Sequence, residues 1–129
     1  MMNKKPFSFK DRIRSFRYAF QGIRILIAGE HNAWIHCFAA LCVIVCGFCF
    51  EISTTEWIAV VIAIGMVLSA EAFNSAIEAL ADRVDSEYNE AIKRTKDLAA
   101  GGVLLVAITA AIIGGIIFFP KIYALLSSL

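Results

Sequence analysis

Apolar residues run almost unbroken through three stretches, 34–50, 57–77 and 98–119. A helix needs about 20 predominantly apolar residues to cross a bilayer, so these stretches predict three membrane helices, the first recruiting residues before Trp34. Upstream, Phe9, Ile13, Phe16, Phe20, Ile23 and Ile27 recur at alternating intervals of four and three, while Lys10, Arg12, Arg14, Arg17, Gln21 and Arg24 occupy the other faces. That period predicts an amphipathic helix lying on the membrane surface. Ser53-Thr54-Thr55-Glu56 fits a capping box and starts the second membrane helix near Thr54. The pattern therefore predicts an all-α membrane bundle: a surface helix at about 8–28 and membrane helices at about 32–50, 54–85 and 95–119. The charged segment 90–97 forms a helical lead into the third.

Composition agrees with one small integral membrane domain spanning 1–129. The chain is 60% hydrophobic, which leaves no room for a second, soluble domain. Its 12 basic residues fix a topology. Lys4, Lys5, Lys10, Arg12, Arg14, Arg17 and Arg24 precede the first span, and Arg83, Lys93, Arg94 and Lys96 lie between the second and third. The loop 51–56 has none, and only Lys121 follows the third span. By the positive-inside rule the N-terminus and second loop are cytoplasmic and the C-terminus is outside, in a multi-pass protein of the cytoplasmic (inner) membrane. No apolar segment with a small-residue cleavage site follows the basic N-terminus, so the first 30 residues read as part of the mature protein. A net charge of only +1 argues against nucleic acid as partner and for anchoring of the surface helix to anionic lipid.

Cys37, Cys42, Cys46 and Cys49 all lie on the first span, where one helix cannot easily bridge to itself, and they read as packing residues. Cys46-x-x-Cys49 lacks the second ligand pair of a metal site. Gly101-Gly102 and Gly114-Gly115 give the third helix a small-residue surface suited to tight packing.

The polar residues of the second span carry the chemistry. A charge at the centre of a bilayer helix costs roughly 2.5–3.5 kcal/mol on insertion scales and usually faces a protein interior or an aqueous cavity. Glu71 is followed at helical spacing by Asn74, Ser75, Glu78, Asp82 and Asp85, one acidic stripe descending to the cytoplasmic headgroups. Lys96 and Asp97 reach the depth of Glu78 and Asp82 from the other side of the loop. Asp82 and Asp85 read equally as solvated helix ends, with Arg83 as their ion-pair partner. His36 reads first as a packed or interface histidine, and His31 as exposed.

No phosphate-binding glycine loop, dinucleotide turn or Ser-His-Asp order is present, so the available chemistry is that of carboxylates. Glu, Asp and Asn form a hard ligand set suited to Mg2+ and to phosphoryl transfer. The same residues would equally line a cation or proton path in a small oligomeric transporter. Three short helices enclose little volume, so a site on the stripe is expected to be completed by another copy of the chain.

The run Glu71-Ala72-Phe73-Asn74-Ser75-Ala76-Ile77-Glu78, with Asp82, Ser86-Glu87-Tyr88 and Lys96-Asp97, resembles the signature of the prokaryotic diacylglycerol kinase family, which includes the undecaprenol kinases. The resemblance runs through nearly the whole chain. It implies a homotrimeric membrane enzyme that moves the terminal phosphate of MgATP to a lipid hydroxyl, with active sites shared between subunits. By position, it implies Glu71 as general base, Asn74 as its orienting or phosphate-binding neighbour, and Glu30 and Glu78 as ligands of Mg2+. It places ATP against Tyr18, Arg12, Glu30, Glu78, Glu87, Tyr88, Asn89, Lys96 and Asp97, and the lipid near Glu71 and Trp34. Asp11 stands where the family has an arginine, which brings in the adjacent Arg12. Asn89 replaces a histidine, and Gly29 an asparagine, of parts of the family. Glu30-His31-Asn32, His36 and Thr55-Glu56-Trp57 resemble the undecaprenol kinase branch. The string 74–78 with Asp82-Arg83 and Ser86-Glu87-Tyr88 resembles the diacylglycerol kinase branch more closely, and diacylglycerol is the expected acceptor.

Overall fold

The computed structural model describes residues 6–129, so Lys4 and Lys5 lie outside the described residues. Four helices follow one another: α1 (Phe9–Gly29), α2 (His31–Cys49), α3 (Thr54–Val84) and α4 (Glu90–Ser127), with no strand among the described residues. The last three are each long and apolar enough to cross a membrane, so the chain is a multi-pass membrane protein.

Local chemistry explains each boundary. Ser8 Oγ accepts from the Asp11 amide at 3.3 Å and starts α1. Glu30 alone separates α1 from α2, in extended backbone, and the Trp34 indole N–H donates back to the Ile27 carbonyl at 2.6 Å. Ser53 and Glu56 form the reciprocal capping box expected at the start of α3. Between α3 and α4, the Asp85 carboxylate accepts from the Glu87 amide at 3.0 Å and from Asn89 Nδ2 at 3.3 Å. Asn89 Oδ1 in turn caps α4 through the amides of Ala91 and Ile92.

Helices α3 and α4 lie antiparallel, pinned at both ends by ion pairs between residues far apart in sequence. Lys96 meets Asp82 beside the connecting loop, and Lys121 meets Glu56 at 2.8 Å at the opposite end. A small core of Ile52, Val60, Ile117 and Phe118 packs near that opposite end. The third membrane helix, expected to end at about residue 119, continues through Pro120 to Ser127. A proline inside a membrane helix is tolerated where neighbours hold the segment, and here buried Ile117 and Phe118 and the Lys121 pair do so.

Two packing expectations change. A Cβ built on Gly101, Gly102, Gly114 or Gly115 would meet nothing within 4 Å, so these glycines do not mediate packing within the chain. The close approach occurs at Gly47, where a Cβ would lie 2.6 Å from the Trp57 ring, so α2 and α3 converge on this hydrogen-sized gap. The four cysteines are free, and Cys42, Cys46 and Cys49 are exposed, so within one chain they do not fill a core.

Candidate active site

Glu71 and Asn74 lie on the buried side of α3, at 3% and 7% exposure, the two buried polar side chains among the described residues. Farther along the stripe, Ser75 and Glu78 are half-buried and Asp82 is exposed. The stripe thus leads from a dry interior to the α3–α4 loop.

His36 of α2 closes over Glu71, with Nε2 3.0 Å from Glu71 Oε1. A hydrogen bond across this contact requires the hydrogen on Nε2, because a carboxylate oxygen accepts. Asn74 Nδ2 donates to Glu78 Oε1 at 3.4 Å, while Asn74 Oδ1 is buried without a partner. An unpaired buried oxygen costs about 1–3 kcal/mol, so this atom calls for a cation or donor supplied from outside the chain. Asn74 Oδ1 and the Glu78 carboxylate are hard oxygens one helical turn apart, a donor set that fits Mg2+ completed by phosphate oxygens and water. Among the described residues no group of three or more His, Cys, Asp or Glu side chains forms a ready-made metal cluster. Glu30 stands half-buried at the α1–α2 junction, and its side chain caps neither helix.

The remaining residues expected around ATP divide into two groups. Lys96 bonds to Asp82, and Asp97 pairs with Lys93 one turn earlier on α4 at 2.6 Å. Tyr18 on α1 and Tyr88 in the loop are exposed, Tyr88 at 83%, and Glu87 is exposed beside it. Arg12 sits over the Phe7 ring, 5.6 Å from its centroid, and Asn89 serves as the cap of α4. The chain therefore gathers Glu71, Asn74, Glu78 and His36, and separately Asp82 with Lys96. It does not bring Tyr18, Arg12 and Tyr88 into that cluster. Trp34 is exposed, with the His31 ring tilted against it at 4.8 Å.

Asp82 and Asp85 do lie at the end of α3, Asp82 exposed and Asp85 half-buried, but their partner is not Arg83. Asp82 holds Lys96 and Asp85 builds the loop, while Arg83 has no ion pair among the described residues. His36 is neither merely packed nor free. It lies on a different helix from Glu71, so no periodicity in the sequence links them. Alongside His36, toward the membrane interior, α2, α3 and α4 enclose an apolar cavity of about 260 Å³ lined by Ala40, Val67, Leu68 and Ala107 among others.

Known proteins match along this same framework. The family model for prokaryotic diacylglycerol kinase matches residues 17–118. An undecaprenol kinase of Bacillus subtilis is 38% identical over 109 residues, 84% of this chain and 89% of that protein. A diacylglycerol kinase of Synechocystis is 34% identical over 87% of this chain and 65% of that protein. The diacylglycerol kinase of Escherichia coli K12 is 30% identical over 78% of this chain and 82% of its own length. The matched region holds α2, α3, the greater part of α1 and of α4 and the polar cluster between them, and the chain belongs to the prokaryotic diacylglycerol kinase family as a lipid kinase.

Proposed function

We propose that the chain transfers the terminal phosphate of ATP to the hydroxyl of a membrane lipid, diacylglycerol in the first instance, with Glu71 as general base. The observation that carries this reading is Glu71 itself. A carboxylate buried in an apolar helix, 3.0 Å from a histidine that lines an apolar cavity, is placed to meet a hydroxyl that arrives from the membrane. The base takes the hydroxyl proton as the oxygen attacks phosphorus and the bond to the ADP oxygen breaks.

Glu78 and Asn74 Oδ1, with Glu30 from the α1–α2 junction, would hold Mg2+. When bound, the ion neutralises charge on the transferring phosphate oxygens. Lys96 exchanges Asp82 for a phosphate oxygen of ATP, and Asp97, Glu87, Tyr88, Asn89, Tyr18 and Arg12 contribute to the nucleotide side. Helix α1 lies on the cytoplasmic face of the inner membrane with its phenylalanines toward lipid, and Trp34 marks the lipid entrance. Three copies assemble, and the exposed groups on α1 and in the loop meet the acidic stripe across subunits.

Undecaprenol is a second reading with its own support. The 38% identity to the Bacillus subtilis undecaprenol kinase covers 89% of that protein, and His36, one of the positions resembling that branch, contacts Glu71. Transfer of labelled phosphate from MgATP to the two lipids, side by side in mixed micelles, separates them. Faster transfer to diacylglycerol supports the first reading, and faster transfer to undecaprenol replaces it. Phosphorylation of neither lipid refutes both.

A further inference from the structure

Glu71 is held from one direction only. Its Oε1 atom lies 3.0 Å from His36 Nε2, and this is the one ion-pair-distance contact between α2 and α3 among the described residues. The other ties to α3 come from α4, through Lys96 to Asp82 and Lys121 to Glu56. Near Gly47, at the opposite end, α2 is fixed against α3 by close packing on Trp57. Toward the His36 end, an apolar cavity that His36 helps to line lies between these helices and α4, and one turn before His36 Ala33 is fully buried. Burial holds the Glu71 side chain in place, and His36 is the polar group in reach that can set which way its carboxylate points.

We propose that His36 is a positioning residue for Glu71. Its Nε2–H occupies Oε1, so that Oε2 is the oxygen left to take the proton of the acceptor hydroxyl. From sequence, His36 reads as a packed or interface histidine with no role in the reaction, and the inference rests on the proposed base role of Glu71. The donor is an N–H on a rigid ring whose backbone belongs to a different helix. It therefore fixes both the rotation of the carboxylate and the spacing of α2 from α3. The same helix begins at Glu30 and is latched to α1 by the Trp34 to Ile27 bond, so the base and the junction bearing Glu30 are held by one rigid element. The Nε2 atom does not itself receive the substrate proton, since it already carries the hydrogen that it donates. His36 is half-exposed toward the cavity, so a replacement side chain of similar size fits without disturbing the core.

Three full-length variants in detergent micelles test this. His36→Leu keeps bulk and loses the donor, His36→Gln keeps an N–H donor, and Glu71→Leu removes the acceptor. Steady-state kinetics on the better lipid acceptor are expected to show kcat lowered about 10- to 100-fold in His36→Leu, the range for a lost hydrogen bond to a charged group. The KM for MgATP should stay within about twofold, and His36→Gln should recover most of kcat. Nitrogen NMR of histidine-labelled protein is expected to show His36 protonated at Nε2 and to lose that signature in Glu71→Leu. Wild-type kcat in His36→Leu overturns the proposal, as does a loss that His36→Gln does not recover. A His36 signal unaffected by Glu71→Leu also overturns it, and does so without any activity measurement. If turnover instead survives Glu71→Gln, the base assignment fails while the NMR result still reports on the bond.

Discussion

At the scale of single residues, the proposed roles separate by what each substitution leaves behind. Glu71→Gln is close to isosteric and can still accept from His36, so the fold is retained while the proton acceptor is lost. Turnover is expected to fall about 10²- to 10⁴-fold, the range for general acid–base catalysis, with insertion and assembly unchanged on size-exclusion chromatography. Near-normal turnover would remove Glu71 from the base role. Glu78→Gln and Glu30→Gln act differently, because a ligand rather than the base is weakened. Each is expected to raise the Mg2+ concentration needed for half-maximal activity, with Glu78→Gln the larger effect because Glu78 adjoins the unpaired Asn74 Oδ1. A Mg2+ titration that superimposes on wild type in both variants would refute the assignment.

At the scale of helices, what the sequence revealed depended on whether the signal lay within one element. The capping box at Ser53 and Glu56 and the acidic stripe of α3 are local periodicities, and they read directly from the chain. The course of α4 past Pro120 was not legible, because the segment is held by Phe118 and by Lys121 reaching a residue 65 positions away. The approach of His36 to Glu71 was hidden for the same reason. Even the glycines misled: the paired glycines of α4 drew attention, whereas a lone Gly47 makes the close helix contact. Gly47→Val would drive a side chain into the Trp57 ring. It is expected to destabilise the chain by about 1–3 kcal/mol, read as a lower midpoint in denaturant titration in micelles. A midpoint equal to wild type would show that α2 and α3 approach less closely at this point.

At the scale of the whole molecule, the surface exceeds what one chain should leave open. The accessible area is 10459 Å² for 14.2 kDa, against roughly 6,800 Å² from the scaling for folded soluble monomers. Lipid covers part of the excess. Lipid does not explain why the polar cluster of α3 is built while Tyr18, Tyr88 and Glu87 stand exposed away from it. In the proposed trimer these groups belong to a neighbour's site, and that arrangement has an arithmetic consequence. With Glu71→Gln in some subunits and Glu87→Lys in others, a site drawing its base from one subunit and Glu87 from the next is intact only when each contributor keeps its own residue. Random co-assembly at equal ratio gives each requirement even odds, so about a quarter of wild-type activity should return from two nearly inactive parents. If each site lies within one chain, mixing returns nothing, because every chain carries one of the two defects. Co-refolding the two variants and measuring lipid phosphorylation decides between shared and private sites.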